Sequence, residues 1–134
     1  MKSFSLERAN ALIPRIAPLV FELLAKRRDL AITLLEQSTS AGGVGLPTPR
    51  LAGVRTPFPP PKYGERKSEI VRLIHRIEAF GCIVKDIDLG LLDFPAVQDG
   101  DPIYLCWKAG EKRIAHWHGI DEGFTFRKPI DVSP

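Results

Sequence analysis

The hydrophobic positions of this chain follow two periods in turn. In the first stretch Leu12, Ile16, Leu19, Leu23, Leu30 and Leu34 recur at three- and four-residue steps, with one interruption at residues 26–28. That spacing draws one apolar stripe along a long helix. Ser5 is placed to cap it, and Glu7 falls in the first turn, where the helix dipole favours an acid. Pro14 and Pro18 each remove an amide donor and crowd the preceding turn. The pattern therefore predicts a kinked helix over 1–37, as a short piece ending near Ile13 and a long piece starting at about Pro14. Residues 38–62 (STSAGGVGLPTPRLAGVRTPFPPPK) break the pattern and read as a Pro/Gly-rich loop with a polyproline-like end. Helical spacing returns at 63–81, with Ile70, Leu73, Ile74, Ile77 and Phe80 on one face and Gly81 as the left-handed stop.

After residue 82 the period falls to two. Ile103, Leu105 and Trp107 alternate with Tyr104, Cys106 and Lys108, as on a strand with two distinct faces. Strands are expected over 82–88, 91–97, 103–108 and 113–118, with Pro95 assigning the second to an edge. Asp99-Gly100 is a hairpin turn signal, and a further turn is expected near Gly110-Glu111. Phe124 and Phe126 are expected to fold the tail back on the body. The chain thus reads as one α+β domain over 1–134: a long antiparallel helical hairpin packed on a small three- to four-stranded antiparallel sheet, with 82–134 forming the β region and tail. So small a sheet leaves helix surface uncovered, which predicts a homodimer through the helices.

Composition narrows the class. At 134 residues, 44% hydrophobic and 26% charged, the chain suits a single globular core. No apolar run approaches the ~20 residues of a membrane span. Pro14, Arg15 and Pro18 interrupt the first apolar stretch, so a signal peptide is not expected, and the expected localisation is cytoplasmic. Cys82 and Cys106 form no CxxC and are expected to be free thiols. Charge is uneven: residues 1–80 carry 13 Lys/Arg against 7 Asp/Glu, and residues 81–134 carry 6 against 9. The basic half (26–28, Arg50, Arg55, Lys62, Arg66, Lys67) can attract an anion. It carries no nucleic-acid-binding signature, and the aromatics lie mainly in the acidic half, so nucleic acid is the weaker partner reading. The glycines at 42, 43 and 45 match neither phosphate-loop template.

The chemistry is concentrated between residues 85 and 118. His116 and His118 share a strand face and can converge on a zinc-sized ion, with a third ligand from Asp86, Asp88 or Asp93. The metal set carried forward is His116, His118 and Asp93; an open fourth position would suit a metal-dependent hydrolase. Hairpin register decides the partners. If Gly110 and Glu111 alone form the loop, His116 faces Leu105 and His118 faces Ile103. A one-residue shift brings both histidines to the face of Tyr104 and Cys106, where Cys106 can join a softer ligand set or act as a nucleophile beside histidine. Asp86 and Asp88 share a face and can hold a cation, but aspartates flanking Gly90 also serve turns.

VKDIDLGLLDFPA (84–96), DG (99–100), YLCWKAGE (104–111), WH (117–118) and GF (123–124) resemble the bacterial domain of unknown function 2203 family, as does SLERANALIPRIAPLV (5–20). The resemblance spans nearly the whole chain outside 38–62. It implies that Asp86, Asp88, Asp93, Trp107 and His118 are motif positions, with no role attached to them. His116 stands where the family pattern has a tyrosine, so a two-histidine site lies outside that pattern. The candidate binding cluster is therefore Asp86, Asp88, Asp93, Trp107 and His118. Three function classes follow: a non-enzymatic small binding or assembly protein, which is favoured because no complete catalytic set is present; a protein binding a divalent metal such as zinc; and a binder of anionic partners through the basic helices and linker.

Overall fold

The computed structural model describes residues 3–42 and 62–130. Two helices, α1 (Leu6–Gly42) and α2 (Tyr63–Glu78), precede five strands: β1 (Ile83–Asp86), β2 (Leu91–Gln98), β3 (Asp101–Lys108), β4 (His116–Gly119) and β5 (Lys128–Pro129). The strands form one antiparallel meander in chain order. The fold is α+β, with a five-stranded sheet rather than three to four strands. The added strand lies in the tail, where Lys128 pairs with Trp117 and Pro129 with His116.

Ser5 caps α1 as expected: its Oγ accepts from the Arg8 N–H at 3.1 Å. The break expected near Ile13 is absent, and the helix runs unbroken through Pro14 and Pro18. Both prolines lie on the exposed side, so water can reach the carbonyls they leave without a donor. The opposite side holds Ala9, Ile13, Ile16, Val20 and Leu23 in the core, and that burial outweighs two lost hydrogen bonds. The helix also continues to Gly42, into the segment expected to be loop; the remainder of that segment, 43–61, lies outside the described residues. The polar gap in the stripe is filled by Arg27, which is ion-paired with Asp88 at 3.2 Å. Helix α2 packs on α1 with contacts that run in opposite senses, Lys26 meeting Glu69 and Arg15 lying over Phe80. Gly81, at φ 109°, ends it; a Cβ there would come within 2.9 Å of the Phe4 ring.

Strand β2 corrects the edge assignment, for it lies between β1 and β3. Pro95 is tolerated because β1 pairs only with Leu91, Leu92 and Asp93. Beyond that point the outer side of β2 is locally an edge, and there the Pro95 carbonyl accepts from the Phe4 N–H at 2.7 Å. Asp99 and Gly100 both have positive φ, 50° and 86°, as a type I′ hairpin requires. Strand β1 is shorter than expected, leaving Asp88 in the following turn, and β4 starts at His116 instead of Arg113. One sheet face carries Leu92, Phe94, Ala96, Ile103, Leu105 and Trp107 into the core beneath the helices. Phe126 does not pack back as expected; it is 64% exposed. Among the described residues no helix is long and apolar enough to cross a membrane.

Candidate functional site

The second face of the sheet bears the polar residues. The two-residue turn at Asp99-Gly100 sets Gln98 opposite Asp101, and the ladder running back from it sets Asp93 opposite Cys106. Across β3 and β4, Cys106 faces His116 and Tyr104 faces His118. This is the shifted register of the two considered, so both histidines leave the helix-covered core. The tail then folds over this face, and Glu122, Gly123 and Phe124 join Asp93, Cys106 and His118 around a cavity of about 210 Å³.

Three potential ligand side chains meet at that cavity. Asp93, Cys106 and His118 are 2%, 1% and 3% exposed. One ligand atom from each lies within 4.8 Å of the other two. His118 Nε2 is 3.0 Å from Asp93 Oδ1, and its Nδ1 is 2.9 Å from the Gly119 carbonyl. A carbonyl only accepts, so Nδ1 carries a proton and donates it there. Nε2 therefore presents to Asp93 a position for either a shared proton or a metal ion.

Burial raises the Asp93 pKa above the ordinary carboxylate value, while the hydrogen bond and charge of His118 oppose that rise. The Cys106 thiol is pushed up to about 11, first by burial and then by the Asp93 charge, with a hydrogen bond from Arg127 acting the other way. Such a thiol is protonated at neutral pH in the absence of a metal. Both His118 nitrogens already face oxygen partners, so neither is left to activate the sulfur. His118 therefore lacks the geometry to activate Cys106 as a nucleophile.

Arg127 anchors the outer side of the site. It makes two bonds to Glu111, of 3.2 and 2.7 Å, and stacks 4.5 Å over Phe124. Glu111 also accepts from the Lys108 N–H at 2.8 Å, tying the β3–β4 loop to the tail. Desolvation acts to raise the Glu111 pKa, but the Arg127 and Lys108 bonds outweigh it and hold the carboxyl below its usual range.

The remaining expected residues are dispersed. Trp107 points into the helix-side core and donates its indole N–H to the Glu111 carbonyl at 3.0 Å. Asp86 lines the cavity, but its Oδ1 accepts from the N–H groups of Asp88 and Leu89 at 2.7 and 2.8 Å, closing the turn. Asp88 faces Arg27 on α1. His116 shares the polar face but is outside the three-residue group; its Nδ1 is buried with no hydrogen-bond partner among the described residues. Lys85, Glu122 and Arg127 were not singled out from sequence. They reach the site through the fold of the tail and the β1 register, which no local motif encodes.

Comparison with curated proteins returned no match, and neither did comparison with solved structures. The model of a family described as an uncharacterized conserved protein, DUF2203, matches residues 2–130, nearly the full length of both the helical and the sheet regions. The chain therefore belongs to the DUF2203 family.

Proposed function

We propose that this chain is a small metal-binding protein that holds one divalent transition-metal ion, of the zinc type, on Asp93, Cys106 and His118. The observation that carries the reading is the mutual approach, within 4.8 Å, of a carboxylate, a thiol and an imidazole that are all buried. Zinc bonds of ~2.0–2.3 Å to such ligands separate them by roughly 3.3–3.8 Å in a tetrahedron. The present Nε2–Oδ1 distance of 3.0 Å is close to that range. The Gly119 carbonyl supports the reading from behind, since metal-ligating histidines commonly donate their other N–H to such an acceptor. A mixed nitrogen, oxygen and sulfur set suits zinc or cobalt(II) better than magnesium or calcium. The ion would displace the thiol proton and any proton shared by Asp93 and His118, so uptake would release protons. Three protein ligands leave a fourth position toward the cavity; the proposal is of binding, and no reaction is assigned.

The test is cobalt(II) titration of the purified protein, followed by the thiolate-to-metal absorption band and by elemental analysis after dialysis. Wild type is expected to retain about one equivalent, and Cys106→Ser, His118→Ala and Asp93→Ala to lose it. His116→Ala is expected to retain it. A wild-type protein that keeps no more metal than the His118→Ala variant overturns the reading. Loss in His116→Ala, with retention in Cys106→Ser, would replace this ligand set with the two-histidine one.

A further inference from the structure

The cavity above the three ligands has at its rim an exposed lysine that no carboxylate contacts among the described residues, although its charge acts on Asp93. Lys85 lines it from β1, and its Nζ lies 5.2 Å over the Tyr104 ring. Among the described residues Lys85 takes part in none of the ion pairs. The two carboxylates at the mouth are already engaged. Asp86 closes its turn, and Glu122 Oε1 accepts from the Gly119 N–H at 2.8 Å and from Lys128 Nζ at 2.7 Å. Leu91 and Phe124 supply apolar wall between these groups.

We infer that this cavity receives a small organic carboxylate, with Lys85 holding its anionic end beside the metal. The inference rests on the proposed ion, which would neutralise Asp93 and a Cys106 thiolate and remove their repulsion of an incoming anion. Size sets the scale: about 210 Å³ is below the ~300–1,000 Å³ of sites for drug-sized ligands, so the guest has a few carbons. Charge sets the class. One lysine matches a monoanion. A phosphate group brings about −1.5 to −2 charge near neutral pH, more than one lysine offsets, and the nearby Arg127 is committed to Glu111. The apolar wall favours a hydrocarbon tail over a bare inorganic anion.

The test uses butyrate and inorganic phosphate as probes on the full chain, with and without cobalt(II). Binding is read from the visible cobalt spectrum and from amide shifts of Gly123 and Phe124. Butyrate is expected to perturb both, at millimolar affinity as suits so small a ligand. Lys85→Met is expected to weaken it about tenfold and Lys85→Arg to restore it, with about one equivalent of cobalt still taken up by both. Cobalt uptake without a butyrate response, or equal butyrate affinity in Lys85→Met, overturns the inference and leaves the ion site standing. Tighter binding of phosphate than of butyrate overturns the carboxylate class. A butyrate response sensitive to Lys85 in a protein that takes up no cobalt keeps the carboxylate and removes the ion.

Discussion

Glu111 shows how single side chains hold the site together. Its carboxylate joins the β3–β4 loop to Arg127 in the tail, with both partners largely shielded from solvent. Replacing it with Gln is expected to cost about 1–2 kcal/mol in urea unfolding at neutral pH. The pH dependence has a definite sign. The folded-state pKa of Glu111 lies below its unfolded value of ~4.3, so the unfolded chain takes up the proton first as pH falls. Its contribution is fully present above the unfolded value and is lost as pH falls through the folded one. Urea midpoints measured from pH ~6 down to ~3 should therefore fall more steeply for wild type than for Glu111→Gln. Nothing in the sequence marks Glu111 or Arg127 as partners, since 16 residues separate them and no pattern links a loop to a tail.

At the level of elements, sequence was most informative where local chemistry fixed geometry. The Ser5 cap, the Gly81 stop and the Asp99-Gly100 turn each depend on a few adjacent atoms, and each stands as expected. The turn carried further consequences: two loop residues determine the pairing of Asp93 with Cys106. The next connection, from Lys108 to His116, is longer, and its register was open until the chain was folded. Helix continuity through Pro14 and Pro18 was misjudged because local cost was weighed without the tertiary burial opposing it. The glycines allow a direct comparison. Gly100→Ala meets open space but keeps a φ of 86°, and is expected to cost about 1 kcal/mol. Gly90→Ala has a φ of 72° and sets its Cβ 2.7 Å from that of Ala109 and 3.2 Å from Val20 Cγ1. It is expected to cost about 1–3 kcal/mol more, from overpacking, and urea unfolding of the two variants measures the difference.

The whole molecule is a sheet with two unlike sides. One is sealed by helices over apolar side chains, and the other is roofed by a short tail over polar ones. Clustering of the chemistry within residues 85–118 was legible because the residue types are rare together. Phe124 and Phe126 signalled a tail folded back on the body, and Phe124 does so, but the face it roofs was not legible, since the tail has no strong period; without that roof Asp93, Cys106 and His118 would be a solvated patch. If an ion binds, it links the β2, β3 and β4 strands, and metal at about 100 times its dissociation constant should stabilise the fold by ~2.7 kcal/mol. Urea unfolding with and without cobalt(II) measures this gain, which is expected to vanish in His118→Ala.

Strand β2 is buried without interruption from Leu91 to Ala96, although its side chains point alternately to the two sides. It has no idle surface. Sliding it by one residue would drive the Asp93 carboxylate among the oils under α1 and push the Phe94 ring into the polar hollow. Each compartment thus vetoes the other's mispairing, and a strand that must satisfy two incompatible solvents at once has a single way to lie.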